Sequence, residues 1–309
     1  MVWGILGALF GRGRPLPRDR TTKISRAAKK AAQPHVDGMQ AAIAELEALD
    51  GLADVATEKR LPKGFQAAFT AFQGHYDRYI ETVRKQMNLE SAVVPGTAAG
   101  SVCCSEVPMG VTGAEAVVIY RTIRLWPDFP EVAKQLAAQG ERQFNEIQSR
   151  YKGKDPAKIR MGSKPVQEGR IAYAAEGEPC AFADPKGRCR IWEQRPQSCR
   201  MHHVVSDPAW SHAGHENFAK VKLVNIRVPL RQQVALGQVE KRMVLGASPF
   251  LPATLMQIVQ LVDGDMLYEV GEAPMRFSAQ GTAMPRANRN RKGAKKFKGK
   301  SKGKGKKRR

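Results

Sequence analysis

From Met39 onward, apolar side chains recur at intervals of three and four: Met39, Ile43, Leu46 and Leu49, then Phe65, Phe69, Phe72, Tyr76, Tyr79, Ile80, Val83 and Met87. That spacing places each set on one face of a helix. It predicts a first helix around 39–49 and a longer one entered near Pro62. An aromatic stripe of this kind is a packing face. After Met87 the pattern breaks into "NLESAVVPGTAAGSVCC", a Gly/Ala-rich stretch that delivers two adjacent cysteines at the end of a loop. Helix resumes where Thr112 and Glu115 form a T-x-x-E capping box ahead of "AVVIYRTIRLW". Pro127 and Pro130 then close one helix and open another, with Val132, Leu136, Phe144, Ile147 and Tyr151 as its apolar face.

The second half is less regular. Residues 152–169 are polar and turn-rich, a boundary between a helical half and a cysteine-bearing one. "RIAYAA" reads as a short strand. In Asp184-Pro185-Lys186-Gly187 the proline is second and the glycine fourth, as a β-turn requires, so Cys180 and Cys189 fold towards each other in a hairpin. Further on, "FAKVKLVNIRVPL" alternates like a strand, and Leu255, Ile258, Val259 and Val262 supply one face of a helix. There is no internal repeat.

Composition adds little until the charge is located. With 309 residues and 42% hydrophobic content, the chain can bury a core. Of its 51 Lys and Arg, 14 lie between Arg286 and Arg309 without one acid, leaving +8 of the +22 on residues 1–285. This Lys/Arg/Gly-rich tail, with Phe297 its one aromatic, has too little apolar surface to fold alone. It is expected to be disordered and to bind RNA, DNA or another polyanion through phosphate contacts, without base-specific readout. At the other end, residues 11–34 are basic and broken by Pro15, Pro17 and Pro34, which reads as an arm. The opening "MVWGILGALF" is too short to cross a bilayer, and either docks, frays or lies on an anionic membrane surface beside Arg12, Arg14, Arg18 and Arg20. No transmembrane segment is expected. The resulting division is a basic arm at 1–34, a helical body at 35–285 and the tail at 286–309.

The candidate chemistry lies in the five cysteines, which fall into two clusters: Cys103 and Cys104, and Cys180, Cys189 and Cys199. An odd count with no secretory signal points to reduced thiols in the cytoplasm. Thiolates suit zinc, iron or an iron–sulfur cluster, and four ligands complete such a site. The spacings here are not those of zinc-ribbon knuckles. His202 and His203, and His212 and His215 at a spacing of three, are substitute ligands, with solvated loop histidines as the other reading. Buried reduced cysteines packed as small apolar groups are the alternative for the thiols. The chain has no Walker loop, no G-x-G-x-x-G opening a helix, no G-x-S-x-G and no H-E-x-x-H, so no nucleotide-dependent reaction is indicated.

In "CAFADPKGRCRIWEQRPQSCR", the positions Cys180, Phe182, Gly187, Cys189, Ile191, Arg195, Pro196, Cys199 and Arg200 fall where the YkgJ-type cysteine-cluster family has them, with Trp192 in place of a tyrosine. The family's vicinal cysteines and following V-x-L-T-x-x-E resemble "CCSEVPMGVTGAEAVVI". The resemblance covers roughly residues 102–203. It implies a zinc- or iron-chelating domain, and the residues themselves suggest a reading in which Cys103 or Cys104 joins Cys180, Cys189 and Cys199 around one metal, with Arg200 to offset the thiolate charge. It also carries an alternative, an Fe–S dependent oxidoreductase or a protein-modifying enzyme related to flagellin lysine methylases. The expected fold is therefore mainly α with a small irregular α+β cysteine-rich metal-binding module and a disordered basic C-terminal tail.

Overall fold

The computed structural model describes residues 22–104, 111–153, 155, 159–160, 163–212, 214–245, 250–273, 276–277 and 283–284, with the side chains of Cys103, Arg276, Phe277, Ala283 and Met284 excepted. The expected disordered tail at 286–309 and most of the basic arm lie outside these residues. Helix α1 (Arg26–Ala31) and the start of α2 (Gln33–Glu47) fall inside the stretch expected to be an arm. The Ser25 hydroxyl caps α1 by accepting from the Ala28 amide at 3.1 Å, and Pro34 fits the first turn of α2, where no amide donor is needed.

The expected helical faces are present. Met39, Ile43 and Leu46 of α2 pack against Phe65, Phe69, Phe72 and Tyr76 of α4 (Phe65–Gln86), with the short α3 (Val55–Glu58) between them in the chain. At α5 (Gly113–Ile123) the capping box forms: the Thr112 hydroxyl accepts from the Glu115 amide at 3.2 Å, and the Glu115 carboxylate accepts from the Thr112 amide at 3.0 Å. Helix α6 (Phe129–Gln148) buries Val132, Leu136 and Ile147, while Phe144 is exposed.

One expectation fails here. "RIAYAA" is the end of helix α7 (Lys164–Ala175), not a strand. Val166, Arg170, Tyr173 and Ala174 are buried at helical spacing along α7, which packs on α6, and Pro165 sits where a helix tolerates it. The rest of the body comprises α8 (Gln197–Arg200), α9 (Leu230–Met243) and α10 (Leu251–Leu261). Strand content is slight. Strand β1 (Arg60–Leu61) pairs in parallel with β4 (Tyr268–Glu269), β2 (His202–Val204) pairs antiparallel with β3 (Leu223–Asn225), and β5 (Arg276–Phe277) pairs antiparallel with β6 (Ala283–Met284). The β2–β3 register sets His202 opposite Asn225 and His203 opposite Val224.

The protein is mainly α, but among the described residues the expected cysteine-rich metal-binding module is not evident. Ala181, Phe182 and Ile191 of the cysteine segment belong to the same apolar core as α2, α4, α5 and α10. The segment is a surface of that core.

Candidate functional site

Four of the five sequence-predicted site residues, Cys104, Cys180, Cys189 and Cys199, line one cavity of about 40 Å³, together with Arg195, Ser198 and His202. Each of the four is a reduced, half-buried cysteine outside any disulfide. Cys104 ends a 3₁₀ helix (Ala98–Cys104), and its carbonyl accepts from the Cys180 amide at 3.2 Å, which fastens the two clusters together. Cys103 belongs to the same 3₁₀ helix, and its side chain lies outside the described residues.

The hairpin expected around Asp184–Gly187 is there. The Asp184 carbonyl accepts from the Gly187 amide at 2.8 Å and the Asp184 amide donates to the Arg188 carbonyl at 2.8 Å, Ala183 pairs with Cys189, and the Arg190 amide donates to the Phe182 carbonyl at 2.8 Å. Gly187 takes φ +75°, a conformation that favours glycine, and a Cβ there would meet the Ser101 Cβ at 2.4 Å. On the far side, the Cys189 amide donates to the Gly96 carbonyl at 2.8 Å. Gly96 has φ +87°, and a Cβ on it would lie 2.9 Å from the Cys189 Cβ. The "VPGT" turn therefore passes so close to Cys189 that only glycine fits.

Cys199 is placed by polar contacts. Its helix α8 begins where the Glu115 carboxylate accepts from the Gln197 amide at 2.5 Å, so the capping residue of α5 also anchors the cysteine helix. Arg195 holds the preceding turn: it donates to the Trp192 carbonyl at 2.7 Å, its guanidinium lies 3.6 Å over the Trp192 ring, and it reaches Asp77 at 3.5 Å. Arg200, with no exposed surface, donates to the Arg195 carbonyl at 2.7 Å, to the Glu193 carbonyl and to the Asp77 carboxylate. The negative charge opposite Arg200 is thus Asp77, on α4, rather than a group of thiolates.

These contacts explain why the expected metal centre is not supported. Among the described residues, no group of three or more His, Cys, Asp or Glu side chains is placed to hold a metal ion. The thiols are distributed around a wall that also contains Phe182, Ile191 and Leu251. Burial pushes the Cys180 thiol up to about 12 and raises Cys189 as well, so both are neutral thiols in this arrangement. The substitute histidines do not supply a centre either. His202 Nδ1 lies 2.6 Å from the Asn225 Oδ1, and His203 Nδ1 lies 3.1 Å from the Met201 carbonyl. Burial pushes His203 down to about 4. His212 Nδ1 accepts from the Gly214 amide at 3.1 Å and His215 Nδ1 accepts from the Asn217 amide at 3.0 Å, so both are occupied in their own turns. Zinc, iron and an iron–sulfur cluster therefore do not fit the described residues as cofactors, and the Fe–S oxidoreductase and metal-dependent modifying-enzyme readings lose their basis.

Residues that matter to this site but carry no motif are Gly96, Asp77, Ser198 and Gln139. Gln139 of α6 is buried, donates to the Pro179 carbonyl at 2.9 Å and accepts from the Ala181 amide at 3.4 Å. A glutamine on the buried face of α6, in step with Val132 and Leu136, is the available sequence signal.

Compared with known proteins, the chain matches no protein-family model, no curated protein and no solved structure. The resemblance to the YkgJ-type cysteine-cluster family is thus not upheld, because neither a family model nor a metal-holding group among the described residues supports it. Among the described residues, no helix is long and apolar enough to cross a membrane.

Proposed function

We propose that the protein binds nucleic acid through its phosphate backbone. The observation that carries this reading is the run of 14 Lys and Arg from Arg286 to Arg309 without an acid. Cations at that density displace the counterions condensed on a polynucleotide, and the released ions drive binding without regard to base sequence. A second feature on the body favours the same partner. A groove of about 580 Å³ is lined by Thr22, Lys23, Lys29, Gln33, Asn225 and Arg227 beside apolar Tyr79 and Leu230, with no carboxylate among the described residues of its wall. Lys23, Arg26, Lys29 and Lys30 are exposed along this edge. Reduced thiols suit a reducing compartment, and we assign the protein to the cytoplasm.

The test is fluorescence anisotropy with labelled single-stranded RNA and duplex DNA of unrelated sequences, across a range of salt. The intact chain should bind all of them with a steep fall in affinity as salt rises, by about 10³ to 10⁵ between 50 and 200 mM if 6 to 10 phosphates are neutralised. A chain ending at Pro285 should lose most of the affinity and most of the slope. Lys29→Glu should weaken binding further in that shortened chain. Equal binding by the intact and shortened chains would refute the role of the tail.

A further inference from the structure

A second, open groove of about 510 Å³ adjoins the thiol cavity and is lined by Gly96, Thr97, Ala98, Asp184, Arg188, Cys189, Arg190 and Trp192. Cys189 lines both the groove and the thiol cavity. It is half-buried, with one side at the open groove and the other in the cavity that Cys104, Cys180 and Cys199 also line. Two polar groups on the cavity wall have no hydrogen-bond partner among the described residues: Arg195 Nε and Ser198 Oγ. Arg195 is 8% exposed and Ser198 9%. Buried donors left without an acceptor are costly, and they mark a place where an acceptor belongs. A water-sized molecule needs about 10–15 Å³ of cavity measured in this way, so a cavity of about 40 Å³ admits one or two small oxygen species.

We propose that Cys189 and Cys180 form a peroxide-sensitive thiol pair, in which hydrogen peroxide oxidises Cys189 and Cys180 then closes a disulfide across the hairpin. In the first step Cys189 loses its proton and its sulfur attacks one peroxide oxygen. The O–O bond breaks, the second oxygen leaves as hydroxide and takes up the proton as water, and Cys189 is left as a sulfenic acid. In the second step the Cys180 sulfur attacks the Cys189 sulfur, the S–O bond breaks, and the departing hydroxide takes the Cys180 proton as a second water. Two thiols lose two electrons in total, and one peroxide is reduced to two waters.

The residues divide the roles. Burial raises Cys189, while the Ile191 amide and the guanidinium groups of Arg195 and Arg200 oppose part of that rise and stabilise the sulfur as its proton leaves. Cys180 is pushed up to about 12, mainly by burial and further by the neighbouring Cys189, so it holds its proton until a sulfenic acid is there to attack. The unpartnered Arg195 Nε and the Ser198 hydroxyl supply donors for the hydroxide that departs. The Ala183–Cys189 bridge sets Cys189 in the hairpin, the Ala183 amide bonded to the Cys180 carbonyl at 2.8 Å turns the chain just before its first arm, and both cysteines line the one cavity.

Peptide mapping of the intact chain tests this independently of nucleic-acid binding. The fully reduced protein is treated with hydrogen peroxide, residual thiols are alkylated, and the protein is digested with trypsin without reduction. Lys186 and Arg188 lie between the two cysteines, so trypsin separates the reduced halves and leaves the oxidised ones joined. Two of the five thiols should disappear, with Cys180 and Cys189 in one cross-linked product. Cys199→Ser and Cys104→Ser should still form it, and Cys180→Ser should stop at a Cys189 sulfenic acid that a 1,3-diketone traps. Circular dichroism establishes which variants fold, and the map of the unsubstituted protein needs none of them. Full retention of the Cys189 thiol, or a cross-link that joins Cys199 or Cys103 to Cys104 instead, would overturn the proposal.

Discussion

Helix α4 buries Phe65, Phe69, Phe72, Tyr76, Tyr79, Ile80 and Val83 along one face, with the Phe65 and Phe69 rings stacked at 6.0 Å. The segment from Cys180 to Val204 has only one turn of α-helix and one short strand, and its largest fully buried side chain is Arg200. The first region is ordered by removing apolar area from water, which is non-directional and repeats with the helix. The second is ordered by donors and acceptors from elsewhere: Asp77 from α4, Glu115 from α5 and Gln139 from α6. Polar satisfaction of this kind fixes one geometry and tolerates little exchange. The two regions should therefore fail differently.

The largest effect belongs to the apolar region. Phe72→Ala deletes a ring with no exposure from the centre of the core and should cost about 3–5 kcal/mol. Because one core joins α2, α4, α5 and α10, the loss should appear as a lower urea midpoint for the whole body. Unchanged global stability would mean that α4 is not part of the cooperative unit.

Next comes Arg200→Met, which keeps the bulk and removes the donors. The Asp77 side chain is 37% exposed, so water can compensate it, whereas the Arg195 and Glu193 carbonyls lose a charged donor. A cost of about 2–3 kcal/mol follows. It should be local, with faster amide exchange across 190–204 and unaltered exchange within α4. Uniform acceleration along the chain would erase the distinction between the regions.

That distinction also explains how much of the molecule is legible in its sequence. Met39 to Met87 announce their helices because the apolar period and the burial have the same cause, and Thr112 with Glu115 announces a cap because both partners lie three residues apart. The hairpin at Asp184–Gly187 is legible for the same reason, since its turn chemistry is local. "RIAYAA" misleads because six residues cannot separate a buried helix turn from a strand; the deciding contact is with α6. At the site, the cysteine pattern groups Cys104, Cys180, Cys189 and Cys199 around one place but does not reveal their state. Thiol ionisation depends on burial and on Arg195 and Arg200, and the spacing of cysteines carries no information about either. Asp77 and Gln139 are invisible because their partners lie more than a hundred and about forty residues away.

The joint between the two regions is sensitive to pH. Glu240 of α9 accepts from the Gly113 and Ala114 amides at 2.7 and 3.0 Å, at the start of the helix whose Glu115 anchors Gln197. Burial pushes its carboxyl up to about 7, with Glu115 adding to the rise and the backbone donors opposing it. In the unfolded chain a glutamate titrates near about 4.3, so between there and about 7 the native state holds the extra proton. Stability from this group is therefore full at low pH and lost as pH rises through about 7. Glu240→Gln should remove that decline, worth about 1–2 kcal/mol near pH ~7.5, and urea midpoints across about pH 5 to 8 would reveal it. A slope unchanged by the substitution would assign the titration elsewhere, with Glu115, also raised by burial, the first group to replace.

The smallest effect tests whether surface charge contributes to holding the cysteine segment. Arg190 grips Asp128 with two bonds of 2.7 and 2.8 Å and lies 3.8 Å over the Trp126 ring, tying the hairpin to the start of α6. The Asp128 side chain is 47% exposed and that of Arg190 31%, so water screens the pair. Asp128→Asn should cost only about 0.5 kcal/mol, less in high salt. The Arg190 guanidinium holds the Asp128 carboxyl below its usual range, so this small contribution is complete above about pH 4 and fades as pH falls below that. A midpoint shift comparable to that of Arg200→Met would show that an exposed ion pair, rather than the buried Arg200–Asp77 network, fixes the segment. A shift near zero, together with unchanged peroxide cross-linking of Cys180 and Cys189, would place the whole of its order in the buried contacts.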